Sequence, residues 1–376
     1  MKKCNFIFCT FLFIILITTA QSQTTIIDSI ISGGINRTYR LYIPKSYDVT
    51  KSSSLVVDLH GYTSNAEQEQ FYTNFKPIAD TANFLVVYPN GTRTGGTTGD
   101  QFWNAGISPL LVNDVNFISD LIDKIRAHYT VDANCVYACV MSNGGFMSHT
   151  LACALSHKIA AIASVTGSMF VSQRTTCSPN RVVPMMQIHG TADNTVPYMG
   201  NSSYVPIDTL VNFWVKNDQC DLTPTIDTIP DINKADSCKA VHYVFNNGLK
   251  GSTCELYKII GGGHSWPGAP FKIAVTNMDF NASEKIWQFF RKYKLNNLLS
   301  VPQVDAEIAV TMYPNPCIDQ LNIEVQQLKS VSVVDITGKV VLQSTQSQIE
   351  VRDLPQGVYS VIIITKNRQV VKRLIK

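Results

Sequence analysis

Short apolar runs closed by Gly, Pro, Asn or a lone polar residue recur between residues 23 and 298. They are Leu55 to Leu59, Phe84 to Tyr88, Cys135 to Met141, Ile159 to Val165, Val183 to His189 and Cys254 to Ile260. Runs of this kind suit strands covered on both faces. Thr25 to Ser32 and Arg37 to Ile43 read as two antiparallel edge strands. Helical periods lie between the runs. Ile118, Leu121, Ile122 and Ile125 share one helix face, which Asn113 or Asp114 can cap. Asn281-Ala-Ser-Glu284 forms a capping box ahead of Ile286, Phe289, Phe290 and Tyr293. Strands alternating with helices predict an α/β class: a mostly parallel sheet with helices on both faces.

The pattern changes near Leu299. Residues 299–308 carry a proline, mixed polarity and no period, and read as a linker. Beyond them no helical period is clear. Val331 to Asp335 and Lys339 to Leu342 flank the turn triplet Ile336-Thr-Gly338. Val358 to Thr365 and Gln369 to Ile375 flank Lys366-Asn-Arg368. Residues 309–376 therefore predict a small all-β sandwich with its own core.

The first 22 residues form an export signal. Lys2 and Lys3 precede an apolar stretch from Phe6 to Ile17, and small residues follow at Thr18, Thr19, Ala20 and Ser22. Cleavage is expected after Ala20 or Ser22. The stretch is shorter than the roughly 20 residues that span a bilayer, so no stable membrane span is expected. That leaves residues 23–298 as the first domain.

Net charge of +3 and a charged fraction of 16% give no basis for a nucleic-acid partner. Of ten cysteines, Cys4 and Cys9 leave with the signal, so eight remain in an exported chain where disulfides are permitted. Cys135 and Cys139 share strand parity with Tyr137 and should be buried thiols. Cys153 with Cys177, and Cys220 with Cys238, are the expected pairs. No His/Cys grouping has zinc spacing, so no metal is expected.

Against that frame, Cys135-Val-Tyr-Ala-Cys-Val-Met-Ser-Asn-Gly-Gly145 carries the chemistry. A strand stops at Ser142 and a helix opens at once through Gly144 and Gly145. A serine at such a corner is the nucleophile elbow of an α/β-hydrolase. Downstream, one strand ends in Gly190-Thr-Ala-Asp193 and the next in Gly261-Gly-Gly-His264. Each residue alone has an ordinary reading: a helix cap, a turn aspartate, a loop histidine. Together Ser142, Asp193 and His264 follow the chain order of a hydrolase triad, each at a strand's carboxyl end. The backbone N–H groups of Asn143 and Tyr62 are the expected oxyanion hole.

The segments Leu59-His-Gly61, Val87-Tyr-Pro-Asn-Gly91, Phe102-Trp-Asn-Ala-Gly106, Met141-Ser-Asn-Gly-Gly145, His189-Gly-Thr-Ala-Asp193 and Gly261-Gly-Gly-His-Ser-Trp-Pro-Gly268 together resemble a known family. It is the secreted polyhydroxybutyrate depolymerase and feruloyl esterase group, within carbohydrate esterase family one. The resemblance covers roughly residues 24 to 298. It implies an α/β-hydrolase fold, a cofactor-free Ser/Asp/His carboxylic ester hydrolase, and an acyl pocket lined by Trp103 and Trp266. Two positions depart from the family pattern. Ile107-Ser-Pro-Leu stands where a cysteine often occurs, and Val140 replaces the first glycine of Gly-x-Ser-x-Gly. A branched residue there is expected to crowd the elbow.

The tail, with Met312-Tyr-Pro-Asn-Pro316, Leu354-Pro-Gln-Gly-Val-Tyr359 and Lys372-Arg-Leu-Ile-Lys376, resembles the sorting domain of type IX secretion. That implies the type IX machinery as partner and a location outside the cell or on its outer surface. A carbohydrate-binding or fibronectin-like module is the other reading of this segment. For the whole chain the reading is a secreted serine esterase acting on feruloyl or acetyl esters of plant polysaccharide, or on hydroxyalkanoate polyester. A surface-displayed binding protein on a weakened hydrolase scaffold, or a peptidase on the same fold, are the alternatives.

Overall fold

The computed structural model describes residues 23–95, 98–106, 112–299, 310–325, 327–335, 339–365 and 369–376. The expected signal, nearly all of the expected linker and both turn triplets of the tail lie outside the described residues. The chain divides into two compact units, residues 1–299 and 300–376.

The first unit runs β1 (Thr24–Ser32), β2 (Ile35–Ile43), β3 (Ser53–Leu59), α1 (Ala66–Thr73), α2 (Lys76–Ala82), β4 (Phe84–Pro89), β5 (Thr92–Gly95) and β6 (Thr98–Phe102). It continues with α3 (Asp114–His128), β7 (Val131–Met141), α4 (Asn143–Ala154), β8 (Ala161–Val165), α5 (Val171–Thr176), β9 (Met185–Gly190) and α6 (Ile207–Asn217). Then come β10 (Thr225–Thr228), β11 (Lys239–Phe245), β12 (Cys254–Ile260), α7 (Ala282–Phe290) and α8 (Leu295–Leu299). One sheet has the order β1-β2-β4-β3-β7-β8-β9-β12-β11-β10, and β5 pairs with β6 outside it. The centre, β4 through β12, is parallel, and antiparallel strands close both edges. Of the two strands expected at an edge only β1 is one, because β2 also pairs with β4.

The strand pleat sorts side chains into two helical layers. Leu55, Val57 and Leu59, with Val136, Ala138 and Val140, pack with α3, α4 and α6. Val56, Tyr137, Cys139 and Met141 pack with α1, α2 and α7. The second face also buries polar groups. Asp58 accepts from Thr73 Oγ1 at 2.6 Å and from the Cys139 thiol at 3.8 Å. Burial pushes its carboxyl up to about 8, against the lowering effect of those two donors.

A folded pKa above the unfolded value of about 3.9 means that Asp58 disfavours the fold increasingly as pH rises from there to about 8. The Tm of the wild type should therefore fall relative to that of Asp58→Asn as pH is raised from 5 to 9. Parallel Tm curves for the two proteins would contradict this.

The cysteines divide. Cys153 and Cys177 form the expected disulfide. Cys135 and Cys139 are buried thiols. The expected Cys220–Cys238 pair does not form, and both sulfurs are free. The two residues belong to opposite ends of β11. Cys220 Sγ contacts Ser252 O, beside the Phe245/Cys254 end, whereas Cys238 adjoins the Lys239/Ile260 end. Seven strand residues, about 23 Å, lie between those ends.

The second unit is all-β: β13 (Thr311–Tyr313), β14 (Gln320–Glu324), β15 (Leu328–Val334), β16 (Val340–Ser344), β17 (Gln348–Glu350), β18 (Val358–Thr365) and β19 (Gln369–Ile375). Its sheets, β13-β14-β17 and β16-β15-β18-β19, share one core containing Leu321, Ile323, Val333, Ile349, Val361 and Leu374. This is the expected sandwich.

Candidate active site

Ser142 sits between β7 and α4 with φ 56° and ψ −120°. A non-glycine residue rarely adopts a positive φ, and packing must hold it there. The Ser142 N–H donates to Val165 O of β8 at 2.9 Å. Gly144 and Gly145 permit two close approaches. A Cβ on Gly144 would lie 2.5 Å from Leu59 O, and one on Gly145 would lie 2.6 Å from Gly167 Cα. These glycines let the start of α4 press against the ends of β3 and β8.

Val140 does not crowd the corner in the way the sequence suggested. Its side chain is buried in the α3/α4/α6 layer, its backbone pairs with Leu59 and Ser164, and Ser142 two residues later keeps the elbow conformation. Val140→Gly should therefore fail to raise esterase turnover. It should destabilise the fold by about 2–4 kcal/mol through the lost core methyls and the added backbone freedom. A tenfold rise in turnover would restore the crowding argument.

Asp193 lies three residues beyond β9 and His264 four beyond β12. The two loops are tied together: Ala192 N–H donates to Gly262 O at 2.9 Å, and Gly261 N–H donates to Thr191 Oγ1 at 2.9 Å. His264 Nδ1 meets Asp193 Oδ2 at 2.8 Å. Asp193 Oδ1 accepts from the Thr195 and Val196 N–H groups, both at 2.8 Å. Burial pushes this carboxyl up, but His264, the Val196 N–H and His189 outweigh it and hold it below its usual value.

Ser142 and His264 line one cleft of about 380 Å³ with Gly61, Tyr62, Met141 and Tyr72. That volume suits a small organic group. Tyr62 follows Gly61, whose α-carbon faces the serine closely: a Cβ there would lie 3.4 Å from Ser142 Cβ. Asn143 is the first residue of α4, where backbone N–H groups have no intrahelical acceptor. The structure thus brings Ser142, His264 and Tyr62 into one cleft, places Asn143 next to the serine, and bonds Asp193 to His264.

Trp103 and Trp266 are elsewhere. They are 0% and 1% exposed, and neither lines this cleft. Trp103 is a brace. Its Nε1–H donates to His60 O at 2.9 Å, and its backbone is clamped by the Asn143 amide, with Oδ1 accepting from Trp103 N–H at 2.6 Å and Nδ2 donating to Trp103 O at 3.1 Å. It therefore joins the loop after β3 to the serine corner. Trp266 sits below the cleft wall, its N–H donating to Tyr72 OH at 3.1 Å and its Nε1–H to Ser283 Oγ at 3.1 Å.

Two further histidines, His60 and His189, support the site loops. His60 is buried and neutral, its pKa pushed down to about 4 by burial. Its Nε2 accepts from Gly91 N–H at 2.9 Å, so Nδ1–H donates to Gly61 O at 2.7 Å. His189, also pushed down to about 4 by burial, donates from Nε2 to Val196 O at 2.8 Å and stands 3.4 Å from Asp193 Oδ2. Both residues end strands that carry site loops, which was the available signal. Among the described residues no His/Cys/Asp/Glu group could hold a metal ion, and no helix is long and apolar enough to cross a membrane.

Comparison with known proteins agrees with this architecture. Residues 37–196 match the family model of esterase PHB depolymerase, a span that includes Ser142 and Asp193. Residues 311–376 match that of the secretion system C-terminal sorting domain. A bifunctional acetylxylan esterase/xylanase of Neocallimastix patriciarum is 27% identical over 62% of this chain and 31% of its own. Feruloyl esterase B of Piromyces equi is 27% identical over 59% of this chain and 41% of its own. The chain thus spans less than half the length of either relative. The solved acetyl xylan esterase from Aspergillus awamori superposes with a TM-score of 0.51 at 14% identity, covering 70% of this chain and 98% of that one. The first unit has the α/β-hydrolase fold, and the second matches the sorting-domain model.

Proposed function

We propose that this chain, whose residues 37–196 match the esterase PHB depolymerase family, is an exported serine carboxylic ester hydrolase. The observation that carries the reading is Ser142 at φ 56° in the same cleft as His264, whose imidazole is bonded to a buried Asp193. With Nδ1–H held by Asp193, His264 Nε2 is free to take the Ser142 proton as the hydroxyl attacks an ester carbonyl. The N–H groups of Asn143 and Tyr62 stabilise the oxyanion. His264 then returns the proton to the departing alcohol. Water repeats the sequence on the acyl-enzyme and releases the acid.

The substrates proposed are feruloyl or acetyl esters on plant polysaccharide, or hydroxyalkanoate polyester. Relatives named acetylxylan esterase and feruloyl esterase support the first of these. So does an aromatic rim, where Phe271 lines the cleft, stacks on Phe71 and packs at a tilt against Tyr72. A chromogenic acetyl ester should be cleaved and the matching anilide spared. Cleavage of the anilide at a comparable rate would favour a peptidase, and no cleavage of either would favour a binding protein.

The tail's match to a sorting domain supports export by the type IX machinery to the cell surface or medium. We take the catalytic domain as residues 23–298, with a linker to 308. A chain ending at Leu298 should fold and keep its esterase activity, because each unit has its own core. In the native host the same truncation should remain inside the outer membrane. Arrival of the truncated enzyme in the medium would refute the sorting role. An insoluble truncated protein would refute the boundary.

A further inference from the structure

The floor of the cleft holds a carboxyl group that the triad chemistry does not use. Glu69, on the inward face of α1, lines the cleft together with Ser142 and His264, yet is only 2% exposed. Its Oε1 is buried without a hydrogen-bond partner. An unsatisfied buried polar atom costs about 1–3 kcal/mol, so a carboxyl that lines the cleft with one oxygen unpartnered has hydrogen-bonding capacity left for a group seated there.

The groups behind Glu69 are Asp58 of β3, Thr73 of α1, Tyr88 of β4 and Cys139 of β7. Asp58 is a second buried carboxyl, and no cation is among the groups that shift either acid. Burial, and then repulsion from Asp58, hold the Glu69 carboxyl well above its usual range. Two neighbouring buried carboxyl groups with no cation beside them do not readily both ionise. Burial and the neighbouring Asp58 both favour the protonated form of Glu69, and a protonated carboxyl has an O–H to donate.

Taking the esterase reading as its basis, we propose that Glu69 is a specificity-determining residue whose carboxylic O–H hydrogen-bonds a neutral acceptor oxygen, an ether, keto or hydroxyl oxygen, on the acyl group seated in the cleft. The acyl group is the relevant part because it stays on Ser142 through both chemical steps. A neutral donor in a desolvated floor favours an acyl chain that carries such an oxygen over a plain alkyl chain. It also disfavours an acyl chain that carries a free carboxylate, since that charge would be buried beside two acids with no cation to pair it.

The test uses para-nitrophenyl esters of three acyl series of equal length: plain alkyl, methoxy-substituted and hydroxy-substituted, with the oxygen walked along the chain. The wild type should prefer the best methoxy and hydroxy esters over the plain ester by about three- to tenfold in kcat/KM, the range of one neutral hydrogen bond. The methoxy ester is decisive because its oxygen can only accept. In Glu69→Leu the methoxy-to-plain ratio should collapse towards one, and in Glu69→Gln, which keeps an N–H donor, most of it should survive. Preference for hydroxy esters without preference for methoxy esters would mean an ionised Glu69 and would overturn the proposal. So would equal rates across the wild-type series, a result that needs no variant to fold, or a ratio that survives in Glu69→Leu. A wild type that hydrolyses all three series at equal rates defeats this inference alone, whereas one that hydrolyses none defeats the esterase reading and this inference with it.

Discussion

Asp193→Asn is expected to lower kcat on a small ester by about 10⁴-fold with little change in KM, the size seen when a triad acid becomes an amide. The reason lies in which oxygen is already occupied. Asp193 Oδ1 receives two backbone N–H donors, from Thr195 and Val196, so the oxygen of an asparagine must take that position. Its Nδ2 then faces His264 Nδ1, where Asp193 Oδ2 now stands at 2.8 Å. A donor there forces the proton of the imidazole onto Nε2, the nitrogen that must accept from Ser142. The fold should be largely retained, because the amide fills the same volume. A pre-steady-state burst that persists with near-wild-type kcat would show that Asp193 is a turn residue and no more.

The second large effect is at the corner itself. Gly144→Ala is expected to cost about 100-fold in kcat, the scale of a misplacement of about 1 Å. The added Cβ would lie 2.5 Å from Leu59 O and 2.9 Å from His60 O. Both are backbone atoms of the strand end that leads into Gly61 and Tyr62, so no flexible side chain can yield. Either α4 backs away, carrying Ser142 and the Asn143 N–H with it, or the loop carrying Tyr62 moves. Both routes separate the nucleophile from the expected oxyanion hole. Turnover within twofold of wild type would mean that the serine does not depend on this contact.

The sequence made the parallel core legible because its strands are covered on both faces and appear as unbroken apolar runs. Antiparallel β10 and β11 did not stand out. Thr225–Thr228 is exposed throughout and Lys239–Phe245 is only partly buried, so neither carries a compact run. Helix α6 was a missed signal, since Ile207, Leu210, Val211, Trp214 and Val215 keep a helical period. Ser142, Asp193 and His264 were readable because the chain places each just past a strand end, where the topology converges. Other site features depend on contacts distant in sequence. Nothing local says that Trp103 braces His60 and Asn143 rather than facing a substrate. Nothing near Glu69 says that a second acid, Asp58, lies behind it. The Cys220–Cys238 expectation failed for the same reason: two cysteines can bracket a loop in sequence, but β11 holds these at opposite ends.

The central claim is that Ser142 is a nucleophile activated by His264. Its most direct test is reaction of the intact, folded protein with a fluorophosphonate, followed by mass mapping of the labelled peptide. The account predicts one equivalent of label, carried by Ser142, lost in Ser142→Ala and strongly slowed in His264→Ala. No label on the folded wild type, or a label that survives Ser142→Ala, would contradict it.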